Sequence, residues 1–222
     1  MLRKTEYKAS TALVTLLTED MGLIQVRAYG AHSAKNGIAS GIQSFSYGEF
    51  SLTEKNGAYT MRTAELIESF GKLSATYDEI LSATRLVRAA LRIFGDAANH
   101  SAFLLLYYCM SFMSYSDMHF DDVYIYFLLH AMSLSGQRPA ITDCAVCGDS
   151  LYLHGNINFS NRSGGAVCQE CASGVPVSHL ALEAMRRMLD IPPEEMKKIR
   201  LPQQVRTELL SLMTGYYSFW YD

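Results

Sequence analysis

The stretch TALVTLLTEDMGLIQVRAYGA, residues 11–31, reads as two strands around a turn. Thr11 to Thr18 is apolar and β-branched, Glu19 to Gly22 has turn composition, and Ile24, Val26 and Ala28 then alternate with Gln25, Arg27 and Tyr29. A period of two sends the first set to one face and the second to the other, so the first is expected in a core and the second in solvent. After the Gly- and Ser-rich segment 30–41, the run IQSFSYGEFSLTEKNGAYTMRTAEL (42–66) places Asn56-Gly57 between two further strand-like segments, and Asn-Gly favours a type I′ hairpin turn. About five short strands in so brief a segment predict a small β-barrel.

From residue 76 the period changes. Thr76 and Glu79 have capping-box spacing, and Ile80, Thr84, Val87, Leu91 and Phe94 fall on one helical face. Two more helices are expected at 100–115 and 120–135, the first apolar enough around its circumference to sit in the middle of a bundle. Gly136 and Pro139 end that run, and helical texture returns past Pro176 with SHLALEAMRRML and PQQVRTELLSLMTGYYSFWY, whose terminal aromatics are expected to dock into the bundle. The expected fold class is α+β: an N-terminal barrel over 1–72, an all-α domain over 73–140 and 176–222, and an inserted module over 141–175.

That module holds CAVCGDSLYLHGNINFSNRSGGAVCQEC, residues 144–171, two C-x-x-C pairs with 20 residues between them. Each pair aims two thiolates at one point, and four sulfurs complete a tetrahedron, so Cys144, Cys147, Cys168 and Cys171 are the candidate ligands of a structural zinc ion. Tetrahedral thiolate sites accept iron as well, and that alternative stays open. A redox C-x-x-C would open a helix in a βαβ context, and a zinc deaminase would carry H-x-E before P-C-x-x-C; neither pattern stands here. His154 reads as a loop residue and Cys109 as a small buried hydrophobe.

Composition narrows the function. The 222 residues are 49% hydrophobic, ample for a core, and the formal charge of −3 places any nucleic-acid surface in a local patch. The opening MLRKTEYKAS lacks the apolar heart of a signal peptide, and the longest apolar run, Ala102 to Met113, is shorter than the roughly 18 to 20 residues that span a bilayer, so a cytoplasmic protein without membrane contact is expected. The chain has no H-E-x-x-H, no phosphate-binding G-x-x-x-x-G-K-[ST] and no G-x-S-x-G, and Asp121-Asp122 and Glu194-Glu195 sit at expected helix starts, where carboxylates complement the dipole. An enzyme is not expected.

The order of these parts resembles the bacterial RecO family of recombination mediators. The resemblance runs over nearly the whole chain, and its most specific pieces are T-L-L-T-x-x-x-G-L (Thr15 to Leu23), C-A-V-C-G (Cys144 to Gly148) and G-G-x-x-C-x-x-C (Gly164 to Cys171). It implies an OB-fold followed by a helical domain with a zinc finger, working without turnover in the RecF pathway of DNA repair and homologous recombination, close to the nucleoid. The implied partners are single- and double-stranded DNA, RecR, the C-terminal tail of the single-stranded-DNA-binding protein, and RecA indirectly. The implied activities are strand annealing and, with RecR, help in loading RecA.

Two positions depart from the family pattern. The basic pair that follows Gly30-Ala31 in relatives is His32-Ser33 here, with Lys35 nearby, and each lost cation removes roughly one released counterion from DNA binding. The chain also begins late relative to the family's first strand, so Met1 is not the native start or that strand is short. An OB barrel reads single strands with a basic groove and aromatic platforms, which makes Arg3, Lys4, Lys8, Arg27, Tyr29, Lys35 and Tyr47 the barrel's candidates. Arg85, Arg88 and Arg92, at spacings of three and four, form a possible stripe for phosphate or an acidic partner. Arg186, Arg187, Lys197, Lys198 and Arg200 are the candidate receivers of an acidic tail. The runner-up reading is a non-catalytic interaction scaffold of the same fold with little DNA affinity of its own.

Overall fold

In the computed structural model, which describes residues 1–8, 10–31, 37–95, 99–171 and 173–222, Ile24, Val26 and Ala28 are buried and Gln25, Arg27 and Tyr29 exposed, as their alternation demands. Strand β2 (Thr11–Thr18) pairs antiparallel with β3 (Gly22–Tyr29). Between them Thr18 Oγ1 donates to the Gly22 carbonyl at 3.0 Å and accepts from the Met21 N–H, while Gly22 takes the left-handed conformation (φ 67°) that closes the turn. Strand β1 (Arg3–Lys8) pairs with β2, and β4 (Tyr47–Lys55) pairs with β5 (Ala58–Glu68). Asn56 and Gly57 at their turn have φ of 53° and 72°, the left-handed pair that a type I′ turn requires.

The strand order is β1-β2-β3-β5-β4, with β3 and β5 parallel and every other neighbour antiparallel. This is the OB-fold arrangement. Its core gathers Ala12, Val14, Leu16, Val26 and Met61, with Ile38 from the short helix α1 (Ile38–Gly41) and Ile42 just past its end. Gly41 lies so close to β5 that an added Cβ would stand 2.5 Å from the Ala64 Cβ. Sequence periodicity carries no sign of that approach.

Two compact units divide at Tyr115 and Ser116. The first holds the sheet with helices α2 (Tyr77–Phe94) and α3 (His100–Tyr115). Thr76 caps α2, its hydroxyl accepting from the Glu79 N–H at 3.3 Å and donating to the Glu79 carboxylate at 2.8 Å. The buried face of α2 is Ala83, Leu86, Val87, Ala90, Ile93 and Phe94, which corrects the expected stripe: Ile80 is exposed, because burial begins only past the first turn, and Thr84 and Leu91 are half-buried at the margin. At the end of β5 the Glu68 carboxylate is held below the usual carboxylate range by the Tyr115 hydroxyl and by the Phe70 and Ser69 N–H groups, which donate at 3.1 and 2.8 Å. Phe70 itself takes a left-handed backbone (φ 44°), a strained state for a bulky residue that this anchoring offsets.

The second unit holds α4 (Phe120–Leu134), α5 (His179–Asp190) and α6 (Gln203–Tyr221), with the cysteine module between α4 and α5. The central helix is α4 rather than α3. Residues Asp122 to Leu129 are buried without a break, because α4 packs on both α5 and α6, whereas α3 keeps Ser101 and Tyr115 exposed. In α6, Tyr216 and Tyr217 are buried as expected of docking aromatics, while Phe219 and Trp220 reach solvent.

A pH response is built into the join between α4 and α5. His130 Nε2 donates to the Met188 carbonyl at 2.9 Å, and its ring stacks on Tyr126, whose hydroxyl donates to the Ile191 carbonyl at 2.6 Å. Burial, reinforced by the Arg138 charge, holds the imidazole below its ordinary pKa despite the Met188 carbonyl. The unfolded chain therefore binds the proton first. His130 contributes stability in full above about pH 6.5 and loses it as pH falls toward the lower folded value. In urea titrations from pH 7.5 down to 5, stability is expected to fall less in His130→Gln than in the parent protein.

Candidate metal centre and nucleic-acid face

The module is built from the strands β6 (Ile157–Ser160), β7 (Gly165–Cys168) and β8 (Val175–Val177), with β6 in the middle and antiparallel to both neighbours. Its own core is small, chiefly Leu151, Ile157 and Phe159. Phe159 meets Tyr216 of α6 edge-on at 5.3 Å, and the Asn161 side-chain amide donates to the Gly215 carbonyl at 3.2 Å, so the sheet is docked on α6. Gly165 is needed for closeness. The backbone of Ala140 passes it as a parallel bridge, and a Cβ there would stand 2.3 Å from the Ala140 oxygen.

These constraints bring the cysteines together from two directions. One pair turns through Cys144 to Gly148, where the Gly148 N–H donates to the Cys144 carbonyl at 2.9 Å and Gly148 has φ 80°; in the other, Cys171 N–H donates to Cys168 O at 3.2 Å. All four sulfurs lie within 4.8 Å of one another, and Cys147 Sγ is 3.9 Å from Cys168 Sγ. A tetrahedron with metal–sulfur bonds of about 2.3 Å has sulfur–sulfur edges of about 3.8 Å, so four thiolates at these positions fit a metal ion with little adjustment. Electrostatics agree. Burial alone would push the Cys144 thiol up, but N–H groups of Cys147, Cys168 and Val146 aimed at its sulfur bring it down to about 6, whereas hydrogen bonds with Cys168 and Cys147 push Cys171 well up. Four such thiols ionise together only when a cation offsets their repulsion. Cys109, in contrast, is buried in α3 and far too hard to ionise to act as a ligand or nucleophile.

The sheet sorts the barrel's candidate residues by register. Arg3 faces Thr15, which faces Gln25, and Leu13 faces Arg27, so the outer face of β1-β2-β3 carries Arg3, Gln25, Arg27 and Tyr29. Arg27 continues to Thr60 on β5, and the alternation there turns Met61 inward and Arg62 outward. Arg62, its Nε donating to Thr53 Oγ1 at 2.8 Å, and exposed Lys55 at the β4–β5 turn are cations that hydropathy alone did not single out. The inward Tyr-x-Met, outward Thr-x-Arg alternation of residues 59–62 was the available signal.

Other candidates fare differently. Lys4 stands in register with buried Val14 and Val26 and is half-buried, so it does not share the face of Arg3. Strand β1 contains Lys8, and Lys35 lies outside the described residues together with His32 and Ser33. Tyr47 is half-buried and packs edge-on against Tyr107 of α3 at 5.1 Å, a wall position rather than a platform. On α2, Arg88 and Arg92 are exposed but Arg85 is half-buried, which shortens the stripe to one pair.

Arg186 is withdrawn from the expected tail-receiving set. Its guanidinium donates through Nε at 3.0 Å and through Nη2 at 2.5 Å to the Ile141 carbonyl, lies 4.2 Å over the Tyr152 ring, and is 13% exposed, so it fastens the module's entry to α5. Arg187, Lys197, Lys198 and Arg200 are all exposed, with Lys198 paired to Glu195 and Arg200 to Asp117. Asp122, which from sequence is a helix-start carboxylate, forms a buried pair instead: it accepts from Arg206 Nε at 2.6 Å and from Nη2 at 3.1 Å.

Two sequence profiles match this chain, one described as Recombination protein O N terminal over residues 1–70 and one described as Recombination protein O C terminal over residues 76–221. The chain is also similar to curated proteins called DNA repair protein RecO. That of Alkaliphilus metalliredigens is 24% identical over 221 residues, covering 97% of this chain and 89% of the relative. Those of Dehalococcoides mccartyi and Bacillus pumilus are 25% and 26% identical, covering 94% and 98% of this chain and 83% and 85% of the relatives. No helix among the described residues is long and apolar enough to cross a membrane.

Proposed function

Because the chain belongs to the RecO family of DNA repair proteins, we propose that it is a non-catalytic recombination mediator that binds single- and double-stranded DNA through its OB-fold and carries one structural zinc ion on Cys144, Cys147, Cys168 and Cys171. The observation that carries this reading is the outer face of the sheet, where Arg3, Arg27 and Arg62 stand on strands that also expose the aromatic rings of Tyr7 and Tyr29. Strands β2 and β3 and the β4–β5 turn are the parts of an OB-fold that meet oligonucleotides, and cations beside an aromatic ring suit phosphate and base together. Annealing, action in the RecF pathway, and work with RecR and the single-stranded-DNA-binding protein in loading RecA extend the same reading. Arg187, Lys197, Lys198 and Arg200 remain its exposed candidates for an acidic tail. The functional division that goes with this reading is a barrel over 1–72, a helical domain over 73–140 and 176–222, and a metal module over 141–175.

The test is fluorescence anisotropy of a labelled single-stranded oligonucleotide across a salt series. Affinity should fall linearly on a log–log plot, and Arg27→Ala should lower the slope by about one and weaken binding without regard to sequence. Absence of binding at low salt would replace this reading with the second one. His32 and Ser33, standing in place of the basic pair, favour that second reading, a scaffold of the same fold that reaches DNA through partners.

A further inference from the structure

A cavity of about 500 Å³ lies in the first unit beside the β2–β3 turn, and neither the residues of the β4–β5 turn nor Arg3, Arg27, Tyr29 and Arg62 line it. Its inner wall is apolar, with Leu16, Phe70, Leu106 and Met110 buried, and aromatic rings stand over it: Tyr47 and Phe70 meet Tyr107 edge-on at 5.1 and 6.1 Å. Its exposed rim carries Glu19, Asp20 and Glu49, and the lining contains no Lys or Arg. His100 Nδ1 meets Glu19 at 3.1 Å from outside that lining.

From this charge complementarity we infer that the cavity docks a basic segment of a protein partner, seating a lysine or arginine side chain with its stem on the apolar wall and its head among the rim carboxylates. A purely apolar group would leave the carboxylates unanswered. A phosphate chain would be repelled, and the cavity holds none of the cations of the proposed DNA face. Lysine and arginine combine an apolar stem with a cationic head, and electron-rich Tyr47 and Tyr107 rings favour that cation further.

The probe is a fluorescein-labelled hexapeptide of alternating leucine and arginine, with a counterpart carrying glutamate for arginine, titrated into the full chain without DNA. Binding of the first but not the second is expected, weakened about tenfold in Asp20→Asn/Glu49→Gln, whose substitutions are on exposed residues. Methyl-labelled methionine spectra of the unsubstituted protein provide an independent check: Met21 and Met110, which line the cavity, should shift with the basic peptide, and Met188 and Met213 should not. Equal binding to the double variant, unmoved Met21 and Met110 methyls, binding of the glutamate peptide, or no binding at all would each overturn the inference. None of these outcomes bears on DNA affinity, which is read separately.

Discussion

Replacing Cys144 and Cys147 together by serine is expected to abolish metal content and unfold the 141–175 module at temperatures where the parent protein keeps it. Two thiols of the four-sulfur cluster are lost, and hydroxyls at neutral pH do not replace thiolates as ligands. The module buries few apolar residues of its own, so its order is expected to rest on a metal ion held by these sulfurs and on the Phe159 contact with Tyr216. Structural zinc contributes roughly 10–16 kcal/mol of apparent binding free energy in small zinc-dependent peptides, far more than so small a core supplies. Loss should nevertheless stay local, because α4, α5 and α6 pack on one another through residues outside the module. Elemental analysis should find one zinc per chain in the parent protein and none in the variant. Hydrogen exchange should show β6 and β7 amides losing protection while α4 keeps its own. Unchanged metal content together with unchanged melting would refute the assignment, and iron in the parent protein would correct the metal while leaving the site.

The second large effect is expected at Asp122. Its side chain is 1% exposed and accepts two hydrogen bonds from Arg206, which is itself only 14% exposed and whose guanidinium pKa is raised by that carboxylate. Arg206 Nη2 also donates to the Leu201 carbonyl at 2.9 Å, and the Leu201 N–H reaches Asp122 at 3.4 Å, so the pair ties α4 to the segment that enters α6. Asp122→Ala leaves a buried guanidinium without its counter-charge and should cost about 3–5 kcal/mol. Urea unfolding would show this as a lower midpoint at unchanged slope. Asp122→Leu with Arg206→Met should recover much of the loss, since an apolar pair removes both charges together. Glu194→Ala, on an exposed carboxylate at the start of the 3-10 turn Pro193–Lys198, should change stability by no more than about 0.5 kcal/mol. An Asp122→Ala loss no larger than that of Glu194→Ala would show that the pair is not coupled to the fold.

These two sites differ in how they could be read from sequence. The cysteines announce themselves because a metal demands particular ligands at particular local spacing, and Gly148 and Gly164-Gly165 mark the turns that serve it. Asp122 looked like one of two ordinary helix-start carboxylates, and only Arg206, 84 residues away, gives it its role. The same distance effect misplaced Arg186, whose helical position says nothing of the Ile141 carbonyl that it holds.

What the sequence determined by itself is whatever repeats or caps locally: the β2–β3 alternation, the Asn56-Gly57 turn, the Thr76 cap, the spans of α3 and α4, and the four-cysteine cluster. Side-chain period, turn conformation and ligand spacing are properties of a few neighbouring residues, so a few neighbouring residues suffice to state them. Tertiary structure alone decided that α4 rather than α3 is enclosed, that β5 lies beside β3 so that Arg62 joins Arg27, and that an acid-rimmed cavity forms beside the β2–β3 turn. Each depends on which distant segment supplies the other wall, and pairing between segments is set by the packing of whole faces, which no local pattern encodes.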